Sequence, residues 1–541
     1  MKDISSTGSF INFYLNNYIY VDKTKYIRDL IKLERVFISR PRRFGKSLTL
    51  DTIATLFETG VEPYFKGTWI YDKWTEPTYP VLRLNFLNFD KNTLEKFNNK
   101  LNSKITEFAE LNQVTTYKEK EEAEDSIDHL LEQLRLEGRQ IVILIDEYDC
   151  QMTANINNET LYKQFQEKIK SFYANIKDKF AIKFLGITGV TRLKDVSIFS
   201  VGSDINDITN ASAYSQMIGF TRDEIKKYYI DYLKLASSYE NNCSVGDVTD
   251  TQLESMLDMM AQNYDGYCFD EDYEKKVFST WSVNKFFQTM IEKKKVQFGE
   301  YWYDNGGLPS ILVNYLKTHE LNIFEYLDKD KFLKVSSDDF KNPTALTTIN
   351  QNVLMCQTGY LTLRSDLNKT STVALGIPNG EIYKALNRLL ANNIFKGNTD
   401  ITDDYGRSLL EVGTVDDIIN LFNSALNSVS YDNYPIVSES SVQNMLKLYL
   451  LGAHQEVLSE VHEAKGRADL VVNTDNRRIV FEFKYAKNEA EAKSKLSEAV
   501  EQIKTRDYGN ILPKKNELIR IAAVFNADPK VRAFTENQIV P

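Results

Sequence analysis

The stretch "QIVILIDEYD" (140–149) constrains this chain most. An unbroken run of Ile, Val and Leu stops abruptly at Asp146-Glu147. Strands that alternate apolar and polar residues have one wet face, whereas a continuous run is dry on both. Such a strand belongs inside a parallel sheet with helices on either side. Three more segments fit the same sheet: "RVFIS" (35–39), "YPVLRLNF" (79–86) and "FAIKFLGITGV" (180–190). Helical spacing separates them. Tyr26, Ile27, Leu30 and Leu33 recur in one segment, with Thr24 as its expected cap, and Leu48, Leu50, Ile53, Leu56 and Phe57 recur in another. Residues 91–137 are polar with spaced leucines and read as a helical insertion, a hairpin. Residues 1–214 are therefore expected to form a doubly wound α/β domain.

A chain of 541 residues is too long for one core. From 215 to 375 the pattern becomes mainly helical, a lid or linker domain, opening on a capping box at Thr221 and Glu224. A β-like interlude is expected near "GYLTLRS" and "TVALGIPNGEIYKAL". Residues 376–541 return to mixed α/β, with a core at 430–541. No apolar run approaches the roughly 20 residues that span a bilayer, and the N-terminus lacks the pattern of a signal peptide. A cytoplasmic protein without membrane contact is expected. Cys150, Cys243, Cys268 and Cys356 are scattered, as are the four histidines, which argues for free thiols and against a histidine metal centre. A net charge of −10 argues against non-specific coating of nucleic acid and leaves room for a local basic groove.

The segment "FISRPRRFGKSLTLD" (37–51) departs from G-x-x-x-x-G-K-[ST] at its first glycine, which is Arg40. Gly45, Lys46 and Ser47 are in place between a strand and a helix. Backbone amides there would cradle phosphates, Lys46 would reach the β and γ phosphates, and Ser47 would ligate Mg²⁺. Between 35 and 46 lie five basic residues, Arg42 and Arg43 among them, and no acid, which suits the phosphates of ATP. Pro41 stiffens the loop entry and pushes Arg40 toward an extended conformation. Asp146 would hold Mg²⁺ and Glu147 would activate water. Asp149 is placed to pair with a loop arginine. Thr188 could sense the γ-phosphate or make an ordinary strand-end bond. Arg192 could act as an arginine finger, in cis or across a contact of a homo-oligomer, or be a surface arginine.

Near the C-terminus, "GRADLVV" (466–472) and "RRIVFEFKYAK" (477–487) read as two strands joined by a tight turn. Period two puts Ile479, Phe481, Phe483 and Tyr485 on one face and Glu482 and Lys484 on the other. Asp469 can converge with them across the hairpin. Two carboxylates beside a lysine suit a hard divalent cation and a phosphodiester. A cross-strand Asp–Lys pair that only adds stability has the same spacing.

Together, "YVDKT" (20–24), "RPRRFGKS" (40–47), "YPVLRLNF", "ILIDEYD" (143–149) and "GVTRL…SIFS" (189–200) resemble the bacterial AAA-ATPase-like proteins that carry a C-terminal PD-(D/E)XK nuclease domain. "YDGYCF" (264–269) and "WSV" (281–283) are similar to that family's middle region. The resemblance implies that Arg40 is ordinary for the family. It implies a metal site for Mg²⁺ or Mn²⁺ made by Asp469, Glu482 and the Phe483 carbonyl, with Lys484 orienting water. It adds a glutamate from the preceding helix, for which Glu439 is the choice and Glu460 and Glu463 the alternatives. It adds Gln502 on the following helix, with Lys504 and Tyr508 near it. The implied activity is ATP-regulated cleavage of nucleic acid, DNA first, in defence or in mobile elements. Two alternatives stay open: a nucleotide-controlled switch or scaffold whose nuclease-like domain only binds nucleic acid, and an ATPase acting alone.

Overall fold

The computed structural model describes residues 1–541 apart from 178, 194–204, 305–309, 317–318, 320–322, 344, 396–404, 454, 464–465 and 511–516. The chain separates into two compact units, 1–319 with 332–382, and 320–331 with 383–541.

In the first unit, β1 (Arg35–Ser39), β2 (Val81–Asn85), β3 (Ile141–Asp146), β4 (Ile182–Gly189) and β5 (Asn206–Asp207) form a parallel sheet in the order β2-β3-β4-β1-β5. Every residue of β3 is buried, as its unbroken apolar run requires. β1 and β3 both pair in parallel with β4, so the loop after β1 and the acids after β3 open at the same, C-terminal end of the sheet. The insertion is a hairpin of helices Leu94–Leu111 and Ala123–Leu136, whose leucine and isoleucine stripes are buried. Helices Ile230–Asn241, Asp250–Tyr264 and Thr280–Lys293 gather around Met256, Met260, Phe286 and Phe287, and Ile19 and Val21 of the N-terminal segment complete that core. The buried Lys23 ties the segment down through Glu224 Oε2 at 2.6 Å and the Gln216 carbonyl at 2.8 Å.

Thr221 and Glu224 make the expected capping box. Thr24 does not cap its helix, Thr24–Ile31, but lies in the first turn. Asp22 Oδ1 accepts from the Thr24 amide and hydroxyl at 2.9 and 2.7 Å, so the carboxylate two residues upstream takes the expected role. The β interlude is an antiparallel sheet of β6 (Leu333–Ser336), β7 (Thr362–Leu363) and β8 (Thr372–Gly376), ordered β6-β8-β7.

In the second unit, β9 (Glu456–Glu463), β10 (Gly466–Asn473), β11 (Arg477–Ala486), β12 (Glu517–Asn526) and β13 (Ala533–Ile539) form a mixed sheet, ordered β13-β12-β11-β10-β9. Only β11 and β12 run parallel, and helix Glu489–Arg506 makes the crossover between them. That helix buries Ala499 and Ile503 against Val480. On the opposite face Phe422 meets Phe481 at 5.4 Å. Both faces of β11 are therefore covered, which removes Glu482 and Lys484 from solvent. Among the described residues, no helix is long and apolar enough to cross a membrane.

Candidate functional site

The loop after β1 turns through two left-handed residues, Arg43 (φ 69°) and Gly45 (φ 106°). Gly45 is the N-cap of helix Lys46–Thr59 and has no side chain to satisfy the first amides. Those amides are left for an anion. Together with residues 5–8, 217–220 and 280–284, the loop encloses a cavity of about 360 Å³. Its walls carry both polar groups (Arg42, Lys46, Ser47, Glu147) and apolar ones (Ile19, Val21, Met217, Ile218). A phosphate chain with an attached base needs that division.

Ser47 Oγ donates to Asp146 Oδ2 at 2.6 Å, and Thr188 Oγ1 donates to Asp146 Oδ1 at 2.6 Å. Asn85, at the end of β2, reaches Asp146 Oδ2 at 3.5 Å. The sequence reading missed Asn85, because only the pairing of β2 with β3 brings it there. Lys46 Nζ donates to the carbonyls of Arg40 and Pro41 at 3.0 and 3.2 Å and lies 3.7 Å from Glu147 Oε1. Burial pushes the Glu147 carboxyl above its ordinary range, against the opposing pull of Lys46. Its backbone is left-handed as well (φ 53°), a strained conformation of the kind found at functional positions. The adjacent Ser47 hydroxyl and Asp146 carboxylate form a donor set of oxygens that fits Mg²⁺ beside a phosphate.

Three arginines and one acid take places that charge alone did not foretell. Arg40 is buried, 1% exposed, and its guanidinium donates to the Ser39 and Thr209 carbonyls under the ring of Phe269. Burial lowers its pKa to about 9. It adds a bolt beneath the loop, not charge to the phosphate cradle. Arg43 Nη1 donates to the carbonyls of Tyr301 and Trp302 at 2.7 and 3.2 Å and stacks on Trp281. Arg192 pairs with Asp207 at 2.5 Å, outside the walls of this cavity. Asp149 accepts from the Thr191 amide and hydroxyl at 2.7 and 2.6 Å and pairs with no arginine among the described residues.

Glu381 anchors the region that receives Arg43, accepting from Ser282 Oγ at 2.7 Å and the Trp302 amide at 2.8 Å. Burial pushes its carboxyl up to about 8. The folded value exceeds the unfolded one, so this group's contribution is full below the ordinary carboxyl range and is lost as pH rises through about 8. Glu381→Gln is expected to flatten the fall in melting temperature between about pH 6 and about pH 8, measured by thermal denaturation.

In the second unit Leu470 pairs with Phe481, which sets Asp469 opposite Glu482. Asp469 Oδ2 accepts from the Phe483 amide at 2.8 Å. Lys484 Nζ donates to Glu482 Oε1 at 2.8 Å, to the Phe483 carbonyl at 3.2 Å and to Glu439 Oε1 at 3.3 Å. Glu439 opens helix Glu439–Gly452. The side chains of Glu460 and Glu463 lie outside the described residues. Gln443, one turn after Glu439, donates to the Asp469 carbonyl. The i, i+4 spacing from Glu439 was the available signal for it. Gln502 meets Tyr508 at 3.4 Å and, among the described contacts, none of the carboxylates.

Burial pushes the Glu482 carboxyl up to about 7, with help from Asp469. Burial, the largest influence, lowers the Lys484 ammonium, but its bond to Glu482 and the charges of Glu482, Glu439 and Asp469 together outweigh that and the net shift is upward. Glu482 Oε2 is buried and has no hydrogen-bond partner among the described residues. A buried carboxylate oxygen without a partner is costly. A hard cation held between Glu482 and Asp469 would satisfy it, so the donor set fits Mg²⁺ or Mn²⁺. Among the described residues, no three His, Cys, Asp or Glu side chains cluster as a ready-made metal cage.

A family model described as a predicted AAA-ATPase matches residues 5–199, and one for the PD-(D/E)XK nuclease superfamily matches 437–535. An uncharacterized protein in the vnfD 5′ region of Azotobacter chroococcum mcd 1 is 26% identical over 533 residues, covering 95% of this chain and 94% of that protein. Two solved structures are also similar. Cdc6p from Pyrobaculum aerophilum has a TM-score of 0.25 at 11% identity, covering 66% of this chain and 89% of that one. The Aeropyrum pernix Orc1 protein in complex with DNA has a TM-score of 0.28 at 10% identity, covering 71% and 97%. Likeness that distant carries no argument about this chain. The two family models fall on the two sites just described: the chain joins a predicted AAA-ATPase segment to a C-terminal segment of the PD-(D/E)XK nuclease superfamily.

Proposed function

We propose that the protein is a cytoplasmic, ATP-regulated, Mg²⁺- or Mn²⁺-dependent nuclease that cleaves phosphodiester bonds in DNA. The observation that carries this reading is the convergence of Asp469, Glu482, Lys484 and Glu439 around an unpartnered, buried carboxylate oxygen. A divalent ion bound by Asp469, Glu482 and the Phe483 carbonyl would polarise the scissile phosphate and acidify a water. The chain's own groups do the rest. The Phe483 amide holds the Asp469 carboxylate, and Gln443 holds its backbone. Lys484 is fixed between two carboxylates, where its charge can offset that developing on phosphate. In the first unit, Lys46 and the uncapped helix amides bind the phosphates of ATP, Ser47 and Asp146 hold its Mg²⁺, and Thr188 fixes Asp146. Glu147, which lines the same cavity, would take a proton from water.

Single-stranded, duplex and circular DNA should be incubated with the purified protein and Mg²⁺ or Mn²⁺, crossed with ATP, ADP and no nucleotide. Cleavage is expected only with metal, to stop with EDTA, and to change severalfold with ATP. If every DNA and RNA form stays uncut while ATP is hydrolysed, the ATPase acts alone.

A second reading, a nucleotide-controlled switch whose nuclease-like domain only binds nucleic acid, draws on the ion pair that ties Glu482 to Lys484 at 2.8 Å and could serve stability alone. It predicts strand binding that ATP modulates, without cleavage in any metal.

A further inference from the structure

A second cavity, of about 320 Å³, lies in the first unit beside the nucleotide cavity, and Phe13, Ile19 and Tyr20 line both. Six tyrosines border it: Tyr14, Tyr18, Tyr20, Tyr64, Tyr228 and Tyr232. They come from the N-terminal segment, from the turn that follows helix Lys46–Thr59, and from the helical region. Tyr14, 45% exposed, meets Tyr64 edge to face with centroids 5.6 Å apart. Tyr232 belongs to the helical core and Tyr20 packs on Phe10 and Phe13, whereas Tyr14, Tyr18 and Tyr64 keep part of their surface exposed at the cleft.

The charges at this cleft point the same way. Lys2, Lys66 and Lys227 line it, all exposed, and none makes an ion pair among the described residues. Lys226, next in sequence to Lys227, is by contrast paired with Glu254 at 2.5 Å. Two carboxylates also line the cleft. Asp22 is spent on the amides of Thr24 and Trp69 and on the Thr24 hydroxyl. Asp231 is exposed beside Tyr232. The balance is cationic, in a chain whose net charge is −10.

Rings that offer π faces, interleaved with lysines that lack acidic partners, match a polymer of bases and phosphates. An acyl chain would use the rings and leave the lysines idle. An acidic peptide would use the lysines and leave the rings idle. We propose that this cleft binds a nucleotide unit of single-stranded nucleic acid, its base against Tyr14, Tyr18 or Tyr64 and its phosphates on Lys66 and Lys227. The proposal concerns a site in the first unit and does not require the second unit to cleave.

The test uses the full chain in EDTA, so that no cleavage intervenes. A short oligothymidine carrying iododeoxyuridine is photo-crosslinked and the labelled peptides are mapped by mass spectrometry. Labelling of Tyr14, Tyr18 or Tyr64 is expected. It should fall about tenfold in Tyr64→Leu, the loss of one stacking contact, and by more in Lys66→Glu/Lys227→Glu, which loses both phosphate contacts. ATP binding, read in parallel, verifies that both variants are folded. Labels confined to other regions, or cleft labels that survive both variants, would overturn the proposal. Equal labelling by a duplex would also overturn it, and equal labelling by iododeoxyuridine monophosphate would replace the strand with a free nucleotide.

Discussion

Glu482→Gln is expected to lower metal-dependent cleavage by about 10²–10³-fold, the usual cost of removing one charged or polar group aimed at the reacting phosphate. The fold should survive, because the carboxyl is fully buried and already pushed up to about 7, so a neutral amide of the same shape replaces a group that resists ionisation. The sign of the stability change is set by the same shift. A raised carboxyl favours the fold below its ordinary range and loses that contribution as pH rises through about 7. Glu482→Gln in EDTA should therefore melt no lower than the parent at about pH 8, even as cleavage disappears. Loss of activity with unchanged melting and unchanged ATP affinity identifies a catalytic carboxylate. Full cleavage by Glu482→Gln would remove Glu482 from the mechanism. Lys484→Ala should lose activity as well, but at a cost in stability, since it leaves Glu482 buried without its 2.8 Å partner.

Lys46→Ala is expected to weaken ATP binding by at least about a hundredfold, the worth of its charge-assisted bonds to phosphate. Lys46 is 4% exposed and tethered to two loop carbonyls, so its ammonium is held at the cavity before any ligand arrives. Arg40→Met provides the contrast. If the guanidinium bolts the loop from below, that variant should melt earlier by the worth of its lost bonds, about 1–3 kcal/mol, and bind ATP with nearly parental affinity once folded. Isothermal titration with a non-hydrolysable ATP analogue, paired with thermal melts, separates the two. A large loss of affinity in folded Arg40→Met would return Arg40 to the phosphate site.

The parallel sheet was legible because burial on both faces leaves an unbroken apolar run, as at Ile141–Asp146. β5 was not, because two residues at a sheet edge carry no period. The pairs Lys46 with Ser47 and Glu482 with Lys484 were readable from local spacing on one element. Asn85 was not, since it reaches the Asp146 carboxylate only through strand pairing, and Gln443 reaches the Asp469 backbone carbonyl from a helix whose placement the spacing does not show. The arginines mark a different limit. Sequence displays their charge but not their direction, and Arg40 and Arg43 are turned by Phe269, Trp281 and Trp302, far along the chain.

That last arrangement has a bearing on biosynthesis. The loop that meets the phosphates takes its anchor from a carbonyl 259 residues downstream of Arg43. At roughly 5–20 residues per second, a ribosome delivers that anchor on the order of 13–50 s after the loop itself. During this interval the nascent chain carries every letter of the nucleotide motif without the support that shapes it. The loop's final shape is thus a late event in synthesis, and a chain released before Trp302 is expected to bind ATP at least about tenfold more weakly than the full chain, read by isothermal titration.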